Sequence, residues 1–226
     1  MILVAIVAGY QYLRPPTWMK EKIGKKKWST VLVVSVTTSL VYSLFFVPFV
    51  LSDEHLLNYA AFTLAGASAT FLLIQTSYTD YLHRVADRRA LNFLTLMNLP
   101  LVSWLMIEQQ NWFVLIVSAG MILLGVFFYL SYYFMERIGT SDIRMMWFVA
   151  VAVIPLIGLN GVVWAALITG VEFIVMAAVV AWIKKTLKAS FPAVPMLLFP
   201  FWTVLMLTIF VELPLMYGSM AIAGVG

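Results

Sequence analysis

Two carboxylates, Asp80 in QTSYTDYLHRVADRRALNFLTL and Asp142 in ERIGTSDIRMM, stand at the borders of long apolar runs. An acid is costly to hold in such a place, so it marks a working group more often than a structural one. Two carboxylates brought side by side cannot both ionise cheaply, and one keeps its proton. The charged member can then activate a water while the protonated one polarises a carbonyl or protonates a leaving group. That is aspartic protease chemistry.

Other chemistries find few residues to use. The chain has no cysteine, which removes disulfides, thiolate zinc sites and a cysteine nucleophile. Its two histidines, His55 and His83, fall on opposite sides of the topology derived below, so no metal site is expected and no cofactor is implied. His83 lies near Asp80 and is read as a solvated loop residue that can tune it. No Ser, His and acid set converges on one side, and no glycine-rich phosphate loop follows a strand.

Helices must position the two acids. Of 226 residues, 63% are hydrophobic and 11% charged, with mean hydropathy +0.99, against roughly 25% charged residues in a soluble domain. Runs long enough for a hydrocarbon core of about 30 Å recur along nearly the whole chain, without the alternation of a barrel strand. The expected fold is an all-α polytopic membrane bundle of about eight helices. Seven crossings are read at 29–51, 58–79, 93–107, 112–135, 143–158, 161–183 and 195–217. Residues 1–13 form a short eighth, expected to be retained because no basic residue precedes this apolar run. The span at 93–107 is short and is expected to be tilted or to begin earlier. The organisation reads as N-terminal helices with a basic loop over 1–57, a membrane core over 58–217 and a tail over 218–226.

Charge sets orientation. All 14 basic residues fall on alternate connections: Arg14 to Lys27 on the first, Arg84, Arg88 and Arg89 on the third, Arg137 and Arg144 on the fifth, Lys184, Lys185 and Lys188 on the seventh. The intervening turns carry Asp53, Glu54 and Glu108, so the positive-inside rule puts the basic loops, with Asp80 and Asp142, at the cytoplasmic side of the cell membrane. The net charge of +4 is split among these loops, which suits anionic lipid headgroups and not nucleic acid.

In these residues the chain resembles the type IV prepilin peptidases and their archaeal preflagellin relatives. Asp80 followed by YLHRVADRRALNFLTL is similar to the family's first element, an acid closing a helix before a basic segment that ends in Pro-Asn or Pro-Asp; Ala86-Asp87 stands in that last place. Gly139-Thr140-Ser141-Asp142-Ile143-Arg144 is similar to the second, G-x-G-D followed by lysine, with Ser141 for the second glycine and Arg144 for the lysine. KASFPAVPMLLFPFWTVL at 188–205 looks like the family's basic loop and last helix. The resemblance covers about residues 58–210. It implies a membrane endopeptidase that removes the basic leader of membrane-inserted pilin-like precursors, with Asp80 and Asp142 as the catalytic pair.

Ser141 adds a side chain able to donate to the carboxylate. Arg144, two positions past Asp142, lies off its helix face and is expected to reach lipid phosphate or substrate backbone. Asp87 and Glu136, the cytoplasmic acids nearest the pair in sequence, are candidates to attract a basic leader, with loop solvation or pairing to Arg88 and Arg137 as the plainer alternative. No methyltransferase insertion follows the first helix, so N-methylation is not expected. Glu172, near mid-depth in 161–183, supports a rival reading as a proton-coupled transporter, although no inverted repeat accompanies it. A non-catalytic assembly scaffold is the third reading. Oligomeric state and the precursor cleaved are left open.

Overall fold

A chain this apolar must satisfy its backbone polar groups internally, and helices do so within each segment. The computed structural model describes residues 2–50, 56–83, 86–108, 112–135, 140–184 and 198–208, and every element among them is a helix. In chain order these are α1 (Ile2–Leu13), α2 (Thr17–Lys22), α3 (Lys25–Val50), α4 (Leu56–His83), α5 (Arg88–Glu108), α6 (Trp112–Met135), α7 (Thr140–Phe148), a π-helical segment (Val149–Val153) and α8 (Ile154–Lys184). The last is α9 (Leu198–Thr208).

The boundaries have local causes. Pro15 and Pro16 follow α1 and remove two backbone donors. Gly24, at φ 82°, turns the chain from α2 into α3 through a left-handed conformation open to glycine. Asp87 caps α5: its Oδ1 accepts from the Arg89 N–H at 3.0 Å, and its carbonyl accepts from the Leu91 N–H at 3.2 Å. The cap explains why α5 begins at Arg88, ahead of the span expected at 93–107. Between the spans expected at 143–158 and 161–183, the backbone leaves helical geometry at Gly158, with φ 63° and ψ −175°. The apolar stretch there is therefore two helical pieces joined at one residue.

α3 packs along α4, and α5 packs on α4, α7 and the π segment, while α6 lies against α7, the π segment and α8. The α3–α4 contact is close because small residues line it. Ala61, Ala65, Ala69, Ser35 and Ser39 are buried, and the Ser39 hydroxyl, bonded to the carbonyl of Ser35 on its own helix, also reaches the Ala67 carbonyl of α4 at 3.1 Å. Trp202 of α9 donates to Thr70 of α4 at 2.9 Å. The π segment, Val149–Val153, is wholly buried and touches α4, α5 and α6.

The interior is largely apolar with small polar groups set in it, and large apolar side chains also cover the outside. Ser35, Ser39, Ser68, Thr70, Gln75, Thr76, Thr79 and Asn98 are buried, whereas Val33, Leu44, Trp104, Ile116, Leu123, Phe127, Trp164, Leu167, Ile174 and Trp182 are exposed. Among the described residues, Ala60–Asp80 and Thr140–Val179 are long and apolar enough to cross a membrane, and Ile2–Leu13, Trp112–Phe127 and Leu198–Thr208 are shorter apolar helices.

Candidate functional site

Asp80 sits one turn from the end of α4 on the stripe that also carries Gln75, Thr76 and Thr79, all buried, with Asp80 itself 8% exposed. The 3- and 4-residue spacings put these groups on one face. Thr76 and Thr79 return their hydroxyls to the carbonyls of Leu72 and Gln75, which satisfies these buried donors within their own helix.

Gln75 leads from that stripe to the next element. Its Nε2 donates to Gln11 Oε1 of α1 at 2.8 Å, and Gln11 Nε2 donates to Asp87 Oδ2 at 2.6 Å. The result is a buried relay of two amides and a carboxylate joining α1, α4 and the start of α5. Gln11 and Gln75 are each 1% exposed and Asp87 is 6% exposed. Asp87 is thus neither a solvated loop acid nor a partner of Arg88. α1 covers it, and its two oxygens are engaged by Gln11 and the α5 backbone.

Above Asp87 opens a cavity of about 400 Å³ lined by Pro16, Thr17, Trp18, Ala86, Asp87, Arg88, Arg89 and Ser141. Three segments distant in sequence therefore meet at one end of the bundle: the α1–α2 connection, the residues that follow α4, and the first turn of α7. Asp142 is adjacent to Ser141, half-buried, and in that first turn, where the helix dipole favours a negative charge. Asp142 neighbours this cavity through Ser141, whereas Asp80, on α4 and seven residues before Asp87, is not among its lining residues.

The rest of the motif divides. Ser141 faces the cavity shared with Asp87. Thr140 Oγ1 and Arg144 Nη1 are buried without a hydrogen-bond partner among the described residues, and they bracket Asp142 in sequence. Arg144 Nε donates to Asn92 Oδ1 of α5 at 3.0 Å, across the packing of α7 against α5. Gly139 and Glu136 lie outside the described residues, as do Arg84 and most of the 188–205 segment up to Leu198. Glu172 is partly buried on α8 with Oε2 unbonded among the described residues, next to exposed Val171, Phe173 and Ile174.

Sequence reasoning missed Gln11 and Gln75. The available signal was an amide alone in an apolar run, in AGYQYL and FLLIQTS, since a buried amide demands a partner. Comparison of the chain with protein-family models, with curated proteins and with solved structures found no match.

Proposed function

We propose that the chain is a polytopic membrane aspartic endopeptidase of the prepilin-peptidase kind, with Asp80 and Asp142 as its catalytic pair at the cytoplasmic face. The observation that carries this reading is the cavity where Ser141, adjacent to Asp142, meets Ala86 and Asp87, which follow the helix that bears Asp80. The apolar exterior of the bundle supports the membrane setting, because an exterior of Val, Leu, Ile, Phe and Trp is tolerated in lipid and is an association hazard in water.

In this mechanism the ionised aspartate takes a proton from a water whose oxygen adds to the scissile carbonyl carbon. The protonated aspartate stabilises the developing oxyanion, the C–N bond breaks, and the nitrogen leaves with a proton. The substrate's apolar helix would lie in the bilayer beside the enzyme with its basic leader at the surface.

The test is incubation of the purified protein with a set of basic-leader precursors, reading cleavage by mass. Cleavage lost in Asp80→Asn and retained in Glu172→Gln supports the peptidase. No cleavage by the unaltered protein, with its cellular function lost in Glu172→Gln and kept in Asp80→Asn, would favour a carrier built on Glu172, and a function indifferent to both would favour a scaffold.

A further inference from the structure

Arg89 borders two recesses of different character. One is the polar cavity of about 400 Å³ shared with Arg88, Thr17 and Ser141. The other is a groove of about 360 Å³ between α1 and α5, walled by Ile6, Val7, Tyr10, Ala90 and Phe93 with Gln11 at its inner end. Ile6 is 52% and Tyr10 42% exposed, so the groove opens sideways, away from the bundle core. Arg89 Nη1 donates to the Tyr10 hydroxyl at 3.3 Å, which holds the guanidinium at the junction. A guanidinium has five N–H donors in a planar fork suited to phosphate, and Tyr10 takes one of them.

An apolar trough that ends at a pair of arginines is complementary to a molecule with a hydrocarbon tail and an anionic head. We propose that this junction binds one anionic phospholipid, with an acyl chain along the α1–α5 groove and its phosphate between Arg88 and Arg89. Asp87 lines the same cavity and keeps its charge, but its oxygens are bonded to Gln11 and to the α5 backbone, and the two arginines leave the junction net positive. The surrounding charge agrees with an anionic head: Lys22 ends α2 and Lys25 to Lys27 open α3. The bound lipid would join α1 to α5 over the Gln11–Asp87 relay, tying the terminal helix to the wall of the candidate site. The inference rests on the membrane reading above.

The test uses the full chain purified in mild detergent, with lipid binding followed by native mass spectrometry and thermal shift. One phosphatidylglycerol should be retained in preference to phosphatidylcholine and phosphatidylethanolamine. Arg89→Gln, which keeps a donor for Tyr10, should weaken phosphatidylglycerol binding about tenfold, the value of one charge-assisted hydrogen bond. Ile6→Trp, at an exposed position that fills the groove, should weaken it as well, while Arg14→Gln should not. Equal binding of the zwitterionic lipids, or an equal loss from Arg14→Gln, would overturn the site. So would a thermal shift from inorganic phosphate alone that matches phosphatidylglycerol and survives Ile6→Trp. Alkaline carbonate extraction of cell membranes separates the two readings. A chain that stays in the pellet yet binds no lipid selectively overturns this inference alone, and a chain that is extracted overturns the membrane reading too.

Discussion

Replacing Gln11 with leucine removes the donor to Asp87 and one half of the Gln11–Gln75 pair without changing the apolar character of α1. The structure sets the magnitude. The bond to the Asp87 carboxylate is 2.6 Å long and buried, and losing a hydrogen bond to a charged group costs about 1.5–3 kcal/mol. The amide pair, at 2.8 and 3.4 Å, is neutral, and interhelical bonds of that kind average about 0.6 kcal/mol in membrane proteins. Together the loss should be about 2–4 kcal/mol, read as a lower midpoint in an SDS titration of the detergent-purified protein followed by tryptophan fluorescence. Two further variants separate the relay from a general packing defect. Gln11→Leu/Gln75→Leu should be little worse than Gln11→Leu alone, because Gln75 has already lost its partner. Asp87→Asn should cost less than about 1 kcal/mol, since its one carbonyl oxygen can still cap α5 while its amide nitrogen donates to Gln11, provided the Gln11 and Gln75 amides both reverse. A loss below about 0.5 kcal/mol for Gln11→Leu, or strict additivity in the double variant, would refute a relay that holds α1 to α5.

Further outcomes can be measured on the same protein. Asp80→Asn and Asp142→Asn should each abolish precursor cleavage with the protein still folded, and the double variant should lose little more because the pair works as a unit; near-normal turnover in either single variant would exclude the pair. Gly158→Ala should destabilise by about 1–3 kcal/mol, because its φ of 63° with ψ −175° is open to glycine alone. Gly170→Ala, in helix with no atom within 4 Å of its added Cβ, should be neutral or stabilising by up to about 1 kcal/mol; equal effects in the two thermal melts would remove the backbone argument. Gly66→Ala drives its methyl into the Tyr42 ring and hydroxyl, which is bonded to the Phe62 carbonyl at 3.2 Å. It should cost about 1–3 kcal/mol, and Tyr42→Leu in the same chain should recover part of the loss in the SDS midpoint.

The sequence by itself determined what depends on near neighbours in the chain. Sustained apolarity without alternation dictates helices, and the termini of α6 at Trp112–Met135 coincide with the span read from hydropathy, because the polar residues on either side end the apolar run. The break between 158 and 161 was legible for a similar reason: Gly158, Asn160 and Gly161 interrupt the run, and Gly158 supplies the conformation that no other residue takes comfortably. Asp87 before an arginine-led apolar run carried the sign of a helix cap. Tertiary structure alone decided what that acid does. Its partner Gln11 lies 76 residues away, and no local pattern tells which helix α1 will lie against. The same holds for Arg144: helical spacing says which face it occupies, whereas the packing of α7 on α5 decides that Asn92 is there to meet it. Buried amides and carboxylates take whichever partner the helix packing brings within about 3 Å. Hydropathy and capping are short-range properties of the chain, while that choice belongs to the arrangement of the whole bundle.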